Sequence, residues 1–396
     1  MKLDKFIGSI KDKNILLLQG PMGSYFNTLD KLFTKNGANT FRIGFNAGDR
    51  FFAKSKQYIG YKGKTQNWEV FIKDYYQKNK IDMIFVFGDC RFYQSIAIKI
   101  AKSLNIDIFV FEEGYIRPNY ITLEKYGVNA HSRQPKYREF YDNLQLDNSL
   151  NKEIEQTVKF KPTFNKMAKE VIIYYFLSNL FFFRYPHYKH HRCFSLPVEF
   201  KVGCINVFRK FKNKIVEKDL NEKCIKKLSK KYYFVPLQTH GDFQIITHSK
   251  YDSIETFIKE VMISFSNNAP KNTLLVFKHH PVDRGRKNYT KYINNLAKEL
   301  NIKNNILITW DVHLPTFLKN AIGTIVINST VGLSSLYHNT PTICLGEAIY
   351  DIKGLTSEGM QIDSFWKDYK EVDKELFKKF RWYLIKTTQI NSNFYL

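Results

Sequence analysis

The segments NILLLQGP at 14–21, DMIFVFGD at 82–89 and IDIFVFEEG at 106–114 decide the fold of this chain. Each is a short apolar run that ends in glycine or an acidic residue, which is typical of a buried parallel strand followed by a loop. Helical spacing at 26–36 and 95–104 predicts helices that cover such a sheet. The repeat of strand, loop and helix therefore indicates a parallel α/β domain.

The second half of the chain repeats this pattern. Its predicted strands are YYFVPL at 232–237, TLLVF at 273–277, residues 306–309, TIVI at 324–327 and TICL at 342–345. A length of 396 residues also exceeds the size at which one hydrophobic core usually stops growing. We therefore expect an α/β, GT-B-like fold of two Rossmann-like domains with a cleft between them and a helical, basic insertion.

Four segments follow from this pattern. We expect an N-terminal Rossmann-like domain at 1–135, a helical, basic, membrane-proximal segment at 136–230, a second Rossmann-like domain at 231–350, and C-terminal helices at 351–396 that pack back on the first domain.

The chain carries 61 basic and 37 acidic residues, a net charge of +24. Nucleic acid, an anionic bilayer and phosphorylated small molecules are all compatible partners, and an AT-rich genome explains the lysines equally well. The apolar run VIIYYFLSNLFFF at 171–183 is shorter than the roughly 20 residues of a spanning helix. It abuts the basic RYPHYKHHR at 184–192, which predicts an interfacial membrane helix, a buried helix with a solvated end being the alternative.

Five cysteines without a C-x-x-C pair argue against a disulfide framework and a zinc site, and favour a reducing compartment. The first residues lack the apolar core of a secretory signal, so we expect a cytoplasmic protein. No motif of a nucleic-acid-binding fold is present, which disfavours nucleic acid as the partner.

Ligands of parallel sheets bind beyond the carboxyl ends of the strands, which directs attention to two loops of the first half. Gln19 and Gly20 open the loop after the first strand, where glycine allows a close approach to a ligand. Glu112 and Glu113 leave a buried strand together, so one of them is a candidate proton carrier. Arg117 either balances this acidic pair or holds an anionic sugar.

Two further groups follow strands of the second half. Gln238, His240 and Asp242 form a polar loop, and a carboxylate on each side of a glycosidic centre is what retaining chemistry requires. The phosphate-binding candidates are Lys278, His280, Pro281, Ser329 and Thr330. Serine and threonine at a helix N-terminus suit a phosphate, although such residues also cap helices without any ligand. Adjacent histidines rarely share one ion, so a metal site here is disfavoured.

Taken in order, QGP, GD, EEGYIRP, PLQ-x3-D, K-x-HP and NST resemble the capsule polysaccharide biosynthesis proteins of the KpsS/KpsC type, which are β-Kdo transferases that use CMP-Kdo. The resemblance covers most of residues 14–355 and implies a GT-B-like fold, in which the domain at 1–135 is the acceptor side and the domain at 231–350 binds the nucleotide sugar. It implies retaining transfer of the acidic sugar Kdo to phosphatidylglycerol or its lyso form, at the cytoplasmic membrane surface and alongside other capsule enzymes.

Residue by residue, the resemblance makes Asp242 the nucleophile and Glu112 the acid/base, with Glu113 as second choice. His280 and Pro281 match the motif that holds the nucleotide. The element that binds its phosphate corresponds to Ser329 and Thr330, and from charge alone we assign the Kdo carboxylate to Lys278 or Arg117.

His279 stands where the chain-extending relatives carry proline, and the motifs occur once, which favours an enzyme that adds a single Kdo. CMP carries one phosphate and the chain has no D-x-D motif, so we expect no metal and no cofactor. The alternatives are a transferase for another CMP-activated donor or glycerol phosphate, and a non-catalytic basic binding protein.

Overall fold

The computed structural model describes residues 3–146, 157–160, 163–189 and 196–395. The chain folds into two compact units. The first comprises Met1–Arg133, Leu146–Leu196 and Trp382–Leu396, and the second comprises Gln134–Gln145 and Pro197–Arg381.

The first unit is built on a seven-stranded sheet of order β12-β6-β5-β4-β1-β2-β3. Its strands are β1 (Asn14–Leu18), β2 (Asn39–Gly44), β3 (Tyr58–Gly60), β4 (Met83–Phe87), β5 (Asp107–Glu113), β6 (Tyr120–Lys125) and β12 (Gln389–Asn391). Five of them run parallel, whereas β6 pairs antiparallel with β5 and β12 antiparallel with β6. Its helices are Leu3–Gly8, Tyr25–Lys35, Ala47–Phe52, Trp68–Lys78, Phe92–Ser103 and Phe164–Leu180, with 3-10 turns at Thr65–Asn67, Asn129–His131 and Phe182–Arg184.

Alternation along β1 explains why this sheet is covered on both faces. Leu16 and Leu18 belong to one apolar cluster, and Ile15 and Leu17 belong to another on the opposite face. Successive side chains of a strand point to opposite faces, so a continuous apolar run must be buried twice.

The second unit is built on a five-stranded sheet of order β11-β10-β7-β8-β9, in which every described pairing is parallel. Its strands are β7 (Tyr232–Pro236), β8 (Leu274–Lys278), β9 (Ile306–Thr309), β10 (Gly323–Val326) and β11 (Thr342–Cys344). The α-helices are Arg138–Asp142, Leu196–Val216, Leu220–Lys223, Phe243–His248, Ile254–Asn268, Thr290–Glu299, Leu314–Asn320, Val331–Tyr337, Ile362–Asp368 and Lys374–Thr387. A π-helix at Cys224–Leu228 and 3-10 turns at Pro281–Gly285 and Lys303–Asn305 complete it.

Two tyrosines at the start of the central strand β7 anchor both faces of this sheet. The Tyr232 hydroxyl donates to the carbonyl of Phe317 at 2.5 Å, and the Tyr233 hydroxyl donates to the carbonyl of Trp366 on the other face. Both rings are buried, and each hydroxyl meets a backbone acceptor, so the strand contributes aromatic area without leaving a polar group unpaired.

The predicted α/β class with two Rossmann-like sheets and an intervening helical segment is confirmed. That segment is divided, because it gives the Phe164–Leu180 helix to the first unit and nearly all of the Leu196–Val216 helix to the second. Within the described part of the chain, no helix has both the length and the apolar character to cross a membrane. Residues 190–192 of the predicted basic block lie outside the described residues.

Candidate active site

In the second unit, the loops after β7 and β10 meet at the carboxyl edge of the sheet. Gln238 Nε2 donates to Asn328 Oδ1 at 3.0 Å, and the backbone N–H of Asn328 donates to Gln238 Oε1 at 3.3 Å. This reciprocal pair ties the two loops together where ligands of open α/β sheets bind.

Asp242 is held in one orientation at this edge. It precedes the Phe243–His248 helix, and its Oδ1 accepts the backbone N–H of Gln244 at 3.0 Å. Its Oδ2 accepts Gln238 Nε2 at 3.2 Å. An ionised carboxylate can accept about four hydrogen bonds, so these two contacts orient the group and leave acceptor capacity for chemistry.

His240 lies in the same loop and is held in place by Asp283, which belongs to the turn after β8. Its Nδ1 is 2.6 Å from Asp283 Oδ1, and its backbone N–H donates to Asp283 Oδ2 at 2.9 Å. Asp283 is fully buried, whereas the His240 ring is partly exposed. The sequence pattern does not single out Asp283, because a lone aspartate inside a turn carries no signal of its own.

The two histidines that follow β8 make different contacts. His279 is buried, stacks on Trp310 with ring centroids 3.8 Å apart, and accepts the backbone N–H of Tyr289 at 3.0 Å. Burial lowers the pKa of His279 to about 4. His280 Nδ1 accepts the backbone N–H of Val282 at 3.2 Å. A neutral His280 ring therefore carries its proton on Nε2, where it can donate to an anionic ligand.

Pro281 and Lys278 flank this pair. Pro281 is exposed at the first position of the Pro281–Gly285 turn, where the missing N–H costs nothing. Lys278 is buried, and desolvation lowers its pKa while the charges of Asp311 and Glu217 oppose that shift. The structure thus places Lys278 among carboxylates of its own unit.

Ser329 and Thr330 precede the Val331–Tyr337 helix, as the pattern predicts. Ser329 Oγ accepts the backbone N–H of Val331 at 3.2 Å, and the Ser329 carbonyl accepts the hydroxyl of Tyr350. The Thr330 side chain makes no capping hydrogen bond. Both residues are half-buried at the same edge of the sheet as Asn328.

In the first unit, Glu112 and Glu113 are the last residues of β5. Glu112 Oε1 accepts the backbone N–H of Glu113 at 3.0 Å. Burial raises the pKa of Glu112 to about 7, the charge of Arg91 opposing this shift and those of Glu113 and Asp89 adding to it. Because Glu113 is exposed, Glu112 is the one of the two whose surroundings suit proton transfer near neutral pH.

Asp89 and Arg91 belong to the neighbouring loop after β4. Gly88 has a φ of +72°, a left-handed conformation that favours glycine, and it turns the chain toward them. Asp89 is buried, accepts the backbone N–H of Val128 at 3.0 Å, and lies 3.1 Å from His131 Nδ1. In the sequence, the strand that ends in Gly-Asp predicts this loop, but the strand pattern does not identify Arg91 as a site residue.

Arg117 is exposed, and its Nε donates to the carbonyl of Gly114 at 3.2 Å. It therefore closes the loop after β5. The charge of Arg91 opposes the rise in the pKa of Glu112, and the balancing and sugar-binding roles considered for Arg117 stay predictions.

Gln19 and Gly20 are packed into the first unit. Gln19 is buried, and its Nε2 lies within hydrogen-bond distance of Asp49 at 3.0 Å, Tyr188 at 3.1 Å and Tyr174 at 3.3 Å. A Cβ on Gly20 would lie 2.5 Å from the Phe26 ring. The close approach at Gly20 is thus to a side chain of the protein itself.

These two units define a class of α/β protein with ionisable side chains at the carboxyl ends of parallel strands in two separate sheets. The chain belongs to the capsule polysaccharide biosynthesis protein family, whose model matches residues 82–395. It is 37% identical over 386 residues to the capsule polysaccharide export protein KpsS of Escherichia coli, covering 98% of each chain. It is 36% identical over 386 residues to the capsule polysaccharide modification protein LipB of Neisseria meningitidis serogroup B, covering 97% of this chain and 92% of that one.

Solved structures similar to the chain include Thermosulfurimonas dismutans KpsC, described as a β-Kdo 2,7 transferase. That similarity has a TM-score of 0.41 and 16% identity, and it covers 93% of this chain and 89% of the other. The UDP-GlcNAc 2-epimerase of Neisseria meningitidis bound to UDP-GlcNAc matches with a TM-score of 0.32 and 12% identity, covering 95% of this chain and 100% of the other.

Proposed function

We propose that the protein is a retaining glycosyltransferase of capsule assembly, which moves Kdo from CMP-Kdo to phosphatidylglycerol or lysophosphatidylglycerol and so starts a poly-Kdo linker. Family membership supports the role in capsule biosynthesis. The observation that carries the chemistry is Asp242, whose carboxylate is oriented by Gln238 and by the backbone of Gln244 at the edge of a parallel sheet.

In the proposed reaction, the Asp242 carboxylate attacks the anomeric carbon of Kdo. The bond from that carbon to the phosphate oxygen breaks, and CMP leaves with the electron pair. An acceptor hydroxyl then attacks the same carbon, the ester to Asp242 breaks, and Glu112 takes the proton of the hydroxyl. Two inversions at one carbon give net retention.

The donor contacts follow from the second unit. His280 donates from Nε2 to the CMP phosphate, Pro281 shapes the turn beside it, and Ser329 and Thr330 contribute hydroxyl and backbone donors at a helix start. CMP carries a single phosphate, so we propose that these donors suffice without a metal. Addition of EDTA is expected to leave the transfer rate unchanged, and loss of activity that Mg²⁺ restores contradicts this part of the proposal.

The proposed site of action is the cytoplasmic surface of the membrane. Phe176, Leu180, Phe182 and Phe183 are exposed on and just after the Phe164–Leu180 helix. Replacement of Arg184, Lys189 and Arg192 by Glu is expected to reduce binding to anionic vesicles while transfer to a short soluble acceptor is retained. Equal loss of both properties indicates misfolding instead.

Mass spectrometry tests the central proposal. Wild type and Asp242→Ala are each incubated with CMP-Kdo and a fluorescent phosphatidylglycerol analogue. We expect a product one Kdo heavier with wild type alone, and a protein species heavier by one Kdo when the acceptor is withheld. If folded wild type transfers from a different CMP-sugar or transfers glycerol phosphate, the donor assignment is wrong and the fold assignment is unaffected.

A further inference from the structure

The Leu196–Val216 helix is turned so that polar side chains face the second unit. Glu199 pairs with Arg286, and Asn206 Oδ1 accepts from Arg284 Nη1 at 2.8 Å. Further along, Arg209 Nη1 donates to the carbonyl of Arg284 at 2.6 Å. Residues 199, 206 and 209 lie on one face of a helix, because three, four or seven positions bring side chains back to the same side. Hydrogen bonds and an ion pair thus help to hold this helix to its unit.

The opposite face of the same helix is apolar and exposed. Its side chains, the outer stripe, are Phe200 (76% exposed), Val207 (56%), Phe208 (70%), Phe211 (68%) and Ile215 (77%). Spacings of three, four and seven residues place them along one side. In an ordinary surface helix the apolar side faces the core, whereas this helix exposes its large apolar side chains. Contiguous apolar patches of this kind mark interaction surfaces.

Within the Leu196–Val216 helix, the exposed charged side chains are all positive. Exposed lysines flank the outer stripe, namely Lys201, Lys210, Lys212, Lys214 and Lys218. The acidic residues between 197 and 218 are Glu199 and Glu217, and both are engaged on the inner side. Glu217 accepts the backbone N–H groups of Trp310 and Asp311, each at 2.8 Å. An occupant of the outer stripe must therefore accept apolar groups and carry negative charge.

We propose that the outer stripe and its lysines form a docking surface for an anionic lipid bilayer, separate from the segment at 171–192. Phenylalanines buried at the headgroup boundary with lysines reaching the lipid phosphates are the arrangement of an interfacial helix. A second copy fits less well, because an apolar contact through this stripe would bring two rows of lysines together. The reason for such a surface rests on the proposed function, transfer to a lipid acceptor. The binding of the surface to a bilayer does not depend on that function.

Flotation with lipid vesicles tests the proposal on the full-length protein. Vesicles contain phosphatidylcholine with or without phosphatidylglycerol. The double variant Phe208→Ser/Phe211→Ser is expected to lose at least tenfold in partitioning onto anionic vesicles. The triple variant Lys210→Gln/Lys212→Gln/Lys214→Gln is expected to lose roughly fivefold for each lysine near an anionic surface, and to lose the preference for phosphatidylglycerol.

The matched control is Val70→Ser/Ile263→Ser, which removes exposed apolar side chains outside this helix and is expected to float like wild type. Unchanged flotation of the phenylalanine variant, or no flotation of wild type, overturns the proposal. Light scattering tests the alternative occupant, a second copy of the chain. If wild type forms a dimer and binds no vesicles, and the phenylalanine variant is a monomer, the outer stripe is assigned to a second copy. Release of CMP from CMP-Kdo is measured in parallel, so failure of the transferase proposal is distinguishable from failure of docking.

Discussion

At the scale of single residues, Glu112 is a proposed catalytic group whose pKa is altered by its surroundings. The carboxyl group ends a buried strand, and burial raises its pKa to about 7. To take a proton from an acceptor hydroxyl it must be ionised. The transfer rate is therefore expected to rise with pH through an apparent pKa near 7. Glu112→Gln should remove this rise, and the pH profile of kcat/KM of the two proteins checks it.

The same group has an effect on stability that does not depend on the reaction. Its pKa is raised above the ordinary value of 4.5, so the folded chain holds this proton where the unfolded chain has lost it. The free energy of unfolding then falls as pH rises from about 4.5 to above 7. Glu112→Gln is expected to be more stable than wild type by about 1–3 kcal/mol near pH 8 and equal to it near pH 4.5. Urea unfolding at both pH values measures the difference; Glu113→Gln, at an exposed position, serves as the control.

Gln238 is a positioning residue, because one amide orients the Asp242 carboxylate and also joins the loop of Asn328. Gln238→Ala is expected to lower kcat by roughly 10- to 100-fold, since small displacements of a reacting group have effects of that size. If it acts through Asp242, adding it to Asp242→Ala causes no further loss. A multiplied loss in the double variant, measured by steady-state kinetics, shows that Gln238 acts elsewhere.

At the scale of elements, the sequence predicts the parallel strands except the three-residue β3, and it predicts neither of the antiparallel ones. The run at 82–87 becomes β4 and that at 106–111 becomes the first part of β5, because their apolar residues must be covered on both faces. β6 and β12 escape prediction. β12 has three residues, and it is a strand only because it pairs with residues 120–122, far away in the chain.

Helix orientation is the other feature that the sequence pattern does not give. An apolar stripe with helical spacing predicts a face that packs on the core. In the Phe164–Leu180 helix the inner side is polar instead: Tyr174 is buried against Asn46 and Asp49, while Ile172 and Phe176 are exposed. The partners of Tyr174 lie more than a hundred residues earlier, so no local pattern reveals that the polar side faces inward.

The Tyr174 hydroxyl of this helix is expected to contribute to the free energy of unfolding. It accepts from Asn46 Nδ2 at 2.6 Å and donates to Asp49 Oδ1 at 3.0 Å. Tyr174→Phe leaves buried polar groups without a partner, and we expect a loss of about 1–3 kcal/mol in unfolding free energy. Phe176→Ala, at an exposed position two residues on, should change it by less than about 0.5 kcal/mol. Denaturant titration compares the two, and equal effects contradict a structural role for the network.

At the scale of the whole molecule, the sequence predicts two sheets and a C-terminal segment at 351–396 that packs back on the first domain, but not the residue at which the chain leaves the second unit. Trp382–Leu396 joins the first unit, although the preceding residues of its helix belong to the second. β12 explains this division, since it adds to the edge of the first sheet beside β6. Pairing between segments so far apart in the chain is decided by tertiary geometry, which local periodicity does not encode.

The proposed assignment of the nucleotide to the second unit predicts which backbone amides CMP protects from hydrogen exchange. The loops of Gln238, His280 and Ser329 lie at one sheet edge of that unit, whereas Gln19 in the first unit already has buried protein partners. CMP is therefore expected to slow amide exchange at 238–242, 278–282 and 328–332, and to leave 18–21 unchanged. At a hundredfold excess over Kd the protein should gain about 2.7 kcal/mol in unfolding free energy. Hydrogen-exchange mass spectrometry with and without CMP makes the comparison, and His280→Ala is the control that should lose the protection. Protection at 18–21 alone would move the nucleotide to the first unit and reverse the proposed roles of the two sheets.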